Sequence, residues 1–135
     1  MKQRSVVLAA LVGIVAFGTE TSFAAEPDCA KPSLSQEIYE CSKIKRTEAD
    51  TMLNEAYKRL SDRIHTQYKS NNNLEKTLRN DVIQAQNAWT RLRDADCKVE
   101  AFVVETGSQA FETTVNHCAA EKSFSRSTYL DQLFE

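Results

Sequence analysis

The chain has 135 residues, with 17 basic and 19 acidic side chains and a formal charge of −2. That length suits one small domain behind a leader. With no basic block to neutralise phosphates, nucleic acid is excluded as an expected partner, whereas a cationic partner is permitted.

The first residues read as a secretory signal peptide. Lys2 and Arg4 form a charged start, and Val6 to Phe17 is an apolar run broken only by glycine. Ser22-Phe23-Ala24 places small residues where a signal peptidase inspects them. The run is too short for a permanent bilayer anchor. Residues 1–24 are therefore expected to be removed, leaving residues 25–135 as a single exported domain. Cys29 follows Glu26-Pro27-Asp28, which is no lipidation box, so no stable membrane anchor is expected. Periplasmic or secreted residence is oxidising, and there Cys29, Cys41, Cys97 and Cys118 can pair.

Of three glycines only Gly107 lies beyond the leader, and both prolines, Pro27 and Pro32, precede the first periodic segment. A β-sandwich needs many more turn residues. The composition predicts helices joined by short connections.

Ser33 and Gln36 read as a capping box. Apolar residues then recur by threes and fours from Leu34 to Tyr68, one face of a helix. The polar stretch Lys45 to Glu48 thins the stripe, and Thr47 offers a second cap there. One long helix is still expected, because no glycine or proline forces a stop. Ser70-Asn71-Asn72-Asn73 is the clearest turn, and Asn72 with Glu75 resembles a second capping box. The next stripe is the most regular in the chain: Leu74, Leu78, Val82, Ala85, Trp89, Leu92, Ala95, Val99, Phe102. Two long amphipathic helices across a short turn predict an antiparallel hairpin. Gly107 is expected to end the second helix as a positive-φ glycine. Ser108 and Ser123 then cap two short C-terminal helices that fold back along the apolar stripe. The predicted class is all-α, an elongated two-helix hairpin.

Several spaced residues read together. The first helix carries Asp50, Leu53-Asn54 and Tyr57. The second carries Gln86, Trp89, Arg93-Asp94 and Cys97. Gly107, Cys118, Arg126 and Leu130 follow. This order resembles the lysozyme inhibitor LprI-like family of exported bacterial proteins, over nearly the whole of residues 29–133, and the second-helix block is its specific part. The resemblance implies an exported, disulfide-stapled helical domain, and the family name implies inhibition of lysozyme.

Four cysteines allow three pairings. Cys29 with Cys41 and Cys97 with Cys118 are favoured, each partner being near in sequence. No Cys-x-x-Cys or Cys-x-x-His spacing supports a metal site, and no cysteine is left over as a catalytic thiol. No cofactor is expected.

Gln86, Trp89, Arg93 and Cys97 step by three or four and share a helical face. Asn54 and Tyr57 sit on the facing helix. Arg93 and Gln86 are expected to bond groups of the first helix and of the C-terminal segment, including Arg126, in a polar network that fixes the hairpin's register. Asp94 or Asp50 is the carboxylate for Arg93. His65 and His117 have no acid-base constellation around them, and no nucleophile elbow appears. The chain is expected to bind rather than catalyse. Glu100, Glu105 and Glu112, near the Gly107 turn, are the candidates for reaching a basic cleft on a protein partner, with lysozyme indicated by the resemblance. The alternative is a structural or stress-related envelope protein without inhibitory activity, which an uncovered apolar patch would favour.

Overall fold

A computed structural model describes residues 27–134. They form three helices: α1 (Ser35–Tyr68), α2 (Asn72–Glu100) and α3 (Gln109–Gln132). Among the described residues there is no strand. The all-α class expected from the scarcity of glycine and proline is what the structure shows. The signal peptide lies outside the described residues.

α1 is one helix of 34 residues, about 50 Å long. The polar stretch at Lys45 does not interrupt it, because Lys, Arg and Glu are good helix formers. Thr47 does not cap a second helix; its hydroxyl donates back to the Lys43 carbonyl at 3.0 Å. The helix starts one residue later than its Ser33–Gln36 pattern suggested. Leu34 occupies the N-cap and has no side-chain acceptor to offer. Glu37 closes the end instead: its carboxylate accepts from the backbone N–H of Ser33 at 2.9 Å and of Leu34 at 3.1 Å. Those bonds, the Ser33 one foremost, hold the Glu37 carboxyl below its ordinary pKa.

Asn71, not Asn72, caps α2, accepting the Leu74 N–H at 3.1 Å. Glu75 turns from the cap to meet His65 Nδ1 at 2.9 Å across the hairpin. At its far end α2 unwinds through Ala101, which is fully buried. Gly107 has the expected positive φ, 81°, but it does not end α2; it lies in a second turn, closed by the Ser108 N–H donating to the Glu105 carbonyl at 3.1 Å, that leads into α3. Ser108 follows as the N-cap and accepts the Phe111 N–H at 3.1 Å.

The two short C-terminal helices are one. α3 runs without a break for 24 residues. Ser123, read as a cap, is fully buried in mid-helix and uses its hydroxyl on another helix.

α1 packs chiefly on α3, and the two run parallel. Gln36 meets Gln109, Ser42 meets Asn116, Asp50 meets Ser123 and Arg59 meets Asp131, so the partner advances in step along both chains. Small residues make this possible: Ser42, Ala49 and Ala56 on α1 and Ala120, Ser123 and Ser127 on α3 are all buried. Small side chains at an interface let helix axes come close. Toward the turn, Leu53, Leu60 and Ile64 pack with Leu130 into the main core cluster. α3 has no basic residue in its last turn, and α1 supplies the missing donors. Arg63 donates to the carbonyls of Leu130 at 2.6 Å and Leu133 at 3.1 Å.

α2 lies antiparallel to both and buries only Arg93 and Cys97. Its regular stripe is therefore not the core seam it was expected to be. Leu78, Val82 and Trp89 are half-buried against the core cluster. Leu74, Ala85, Leu92, Ala95 and Val99 are exposed. The helix is rotated so that Gln86, Arg93 and Cys97 face inward, held by hydrogen bonds and a disulfide, and this leaves one edge of the stripe in solvent.

Candidate functional site: the polar clasp and the loop end

Both disulfides form in the favoured sequential pattern. Cys29–Cys41 ties the N-terminal arm to α1, and Cys97–Cys118 ties the end of α2 to α3, with Cα separations of 5.4 and 5.5 Å. Among the described residues no cysteine is free, which leaves no thiolate as metal ligand or nucleophile.

Between the staple and the core cluster sits Arg93, only 7% exposed. Its Nη1 donates to Asp50 Oδ1 on α1 at 2.8 Å and to Ser123 Oγ on α3 at 2.9 Å. Its Nε donates to the neighbouring Asp94 at 2.9 Å. One planar fork thus joins all three helices. Both candidate carboxylates are engaged, and the Ser123 hydroxyl also donates to Asp50 at 2.9 Å. Trp89 lies beside it, with the Arg93 guanidinium 5.4 Å from the ring centre.

Arg126 belongs to the same neighbourhood. Its Nε donates to Gln86 Oε1 at 3.1 Å. Its guanidinium lies 5.5 Å from the Trp89 ring centre and 4.8 Å from that of Tyr129. Asn54 and Tyr57 are not brought into this set. They border a shallow hollow with Ile83, Gln86 and Asn87; Asn54 is exposed and Tyr57 packs on the core cluster.

The other end of the bundle carries the three glutamates. Glu105 and Glu112 are exposed. Glu100 is exposed too, but its carboxylate lies 3.3 Å from Lys122 Nζ, which also reaches Asp96 at 3.5 Å. The hydrogen bond with Glu100, ahead of the other carboxylate contacts, raises the Lys122 pKa. At the loop's crest Phe102 and Val103 are 84% and 91% exposed. The base of the loop is fixed on both sides, by buried Ala101 and by the Cys97–Cys118 bridge.

The family model for lysozyme inhibitor LprI matches residues 29–130. The chain belongs to the LprI family. A crystal structure of a DUF1311 family protein from Pseudomonas putida KT2440, of the same family, is 32% identical with a TM-score of 0.66, over 74% of this chain and 93% of that one. No curated protein matches the chain. Among the described residues of this LprI domain no helix is long and apolar enough to cross a membrane.

Sequence reasoning missed three features of the domain. Phe102 was counted as core, although Phe102-Val103-Val104 are three consecutive apolar residues, and no helix face accommodates all three. Asn116 bonds Ser42 at 3.2 Å and accepts from Arg46 at 3.3 Å, a second link between α1 and α3. Arg59 and Asp131 form a two-pronged pair at 2.9 and 2.7 Å, which lowers the Asp131 pKa chiefly through the Arg59 hydrogen bond. The last two join residues seventy or more positions apart, and nothing local marks them.

Proposed function

We propose that this LprI-family domain is exported by cleavage of residues 1–24, works in the periplasm or outside the cell, and inhibits lysozyme by binding rather than catalysis. The observation that carries this reading is the loop crest: Phe102 and Val103 stand in solvent, beside Glu105 and Glu112, on a base fixed by a disulfide. A rigid apolar tip loses little conformational freedom on binding. Carboxylates around it steer it toward a basic cleft, and lysozymes are commonly cationic. Family membership supports the same reading.

The test is lysozyme turnover on cell-wall substrate with oxidised residues 25–135 in excess. Inhibition is expected at low ionic strength and weakens as salt screens the carboxylates. The double variant Phe102→Ala/Val103→Ala is expected to weaken inhibition about tenfold or more, as removal of a central apolar anchor does. Glu105→Gln/Glu112→Gln should chiefly flatten the salt dependence. Full lysozyme activity in the presence of a large excess of folded protein overturns the proposal.

A second reading, an envelope protein that acts by assembly, is favoured by the exposed edge of α2. Ala85, Leu92 and Val99 recur every seven residues with Ala88 and Ala95 between them, all exposed. That is the spacing of a coiled-coil seam. Light scattering after size exclusion decides it. On this reading a dimer is expected that Leu92→Glu dissociates, and a monomer at high concentration removes it.

A further inference from the structure

We propose that the groove between α2 and α3 at Trp89 and Arg126 binds a small ligand that carries one carboxylate and a flat apolar face. The inference does not rest on the lysozyme reading, and the groove lies apart from the loop crest.

The groove has a volume of about 410 Å³ and is walled by Trp89 and Leu92 from α2 and by Lys122, Arg126 and Tyr129 from α3. That is the size class of small-molecule sites. What sets it apart is the charge left over in it. Arg93 is neutralised by Asp50 and Asp94. Lys122 is held by Asp96 and Glu100. Glu121 pairs with Lys45 at 3.7 Å. Among the described residues Arg126 alone of the groove's cations has only neutral company: the Gln86 amide oxygen and the faces of two aromatic rings. Burial holds its pKa below the ordinary arginine value.

Arg126 uses its Nε on Gln86. Among the described residues its two Nη groups make no hydrogen bond, and no unpartnered side-chain nitrogen is buried, so both are open to solvent; Arg126 lines this groove, and its other side borders the hollow at Leu78 and Val82. A guanidinium presented in this way offers parallel N–H donors that match a carboxylate. The Trp89 and Tyr129 rings flank it and supply apolar surface for the rest of the ligand. With Asp96 and Glu121 committed to Lys122 and Lys45, the groove is left with the single positive charge of Arg126, which balances a singly charged anion and not a multiply charged one such as phosphate. A single carboxylate is the anion that fits.

Trp89 is the only tryptophan in the chain, so its fluorescence reports directly on this groove. The oxidised protein is titrated with N-acetylphenylalanine, for a peptide end, and glucuronate, for a sugar acid. Their uncharged amides and inorganic phosphate are the controls. A saturable change in Trp89 emission is expected with at least one of the two acids, at roughly millimolar concentration for probes of this size. The matching amide and phosphate should bind at least tenfold more weakly. Arg126→Gln should abolish saturation, and Arg126→Lys should keep part of it. Equal response to acid and amide, or no saturable response to either acid in the native protein, overturns the site whether or not the variants fold. In that case Arg126 is only a clamp between α2 and α3.

Discussion

Arg93→Ala is expected to lower the melting temperature by about 10–20 °C, the equivalent of about 2–3 kcal/mol in a domain of this size. The side chain is 7% exposed and makes charge-assisted bonds to Asp50, Asp94 and Ser123, one group on each helix. Bonds of that kind are worth about 1.5–3 kcal/mol when one partner is removed. Full loss of a buried pair costs more, about 3–5 kcal/mol, because a charge is stranded. Here the stranded carboxylates are part-exposed, and Asp50 keeps Ser123 and a distant Arg46 at 3.8 Å, so water recovers some of the difference. Arg59→Ala provides the contrast. Its pair with Asp131 has better geometry, two bonds at 2.9 and 2.7 Å, but it lies at the surface. Surface pairs contribute little, because solvent screens them. Thermal unfolding followed by circular dichroism checks the ranking. Arg93→Met with Asp50→Asn should be less damaging than Arg93→Ala, since it removes a stranded charge along with the cation. If Arg93→Ala melts no lower than Arg59→Ala, the clasp does not hold the helices together.

The elements were legible because helix periodicity survives in a single chain; their mutual arrangement was less so. The stripe of α2 is rich in Leu and Val, so hydropathy marks it as the seam of the fold. The principal interface instead buries Ala49, Ala56, Ala120, Ser123 and Ser127, residues that hydropathy scores low. They are buried for their small size, which allows α1 and α3 to approach, and size is not what a hydrophobic pattern measures. Ser123 shows the same limit from another side. A serine before an apolar run looks like a local cap, yet its hydroxyl is satisfied by Asp50 and Arg93 on two other helices. The clasp was legible in part because Gln86, Trp89, Arg93 and Cys97 lie on one face whatever that face meets. Asn54 was not correctly placed, since the turn sets how α1 is rotated against α2. The loop crest was misjudged because the α2 stripe runs on into Phe102 without a visible stop, whereas the helix ends at Glu100.

The second large effect concerns the two disulfides, which close loops of similar length and are expected to differ in consequence. Cys97 and Cys118 are 21 residues apart, and Cys29 and Cys41 are 12 apart. Loop-closure entropy alone assigns each about 3 kcal/mol. The bridges differ in what is released when each is absent. Without Cys29–Cys41 an exposed arm of a few residues frays from α1, and the three-helix core can remain packed while it does so. Much of the unfolded-state entropy is then matched by freedom of the arm in the native state. Without Cys97–Cys118 the end of α2 and the first half of α3 lose their cross-link and are joined only through the loop itself. Both sulfurs lie in a small cluster with Ala119 and Val115, and the interior there is otherwise thin. Cys97→Ala/Cys118→Ala is therefore expected to lower stability by about 2–4 kcal/mol, and Cys29→Ala/Cys41→Ala by clearly less, about 1 kcal/mol or so. Urea unfolding of the two double variants measures the difference. The Cys97/Cys118 variant should also lose protection from amide exchange across residues 101–108 under native conditions, because the base of the loop is no longer fixed. Equal stabilities for the two variants would mean that the arm is as integral to the fold as the bridge beneath the loop.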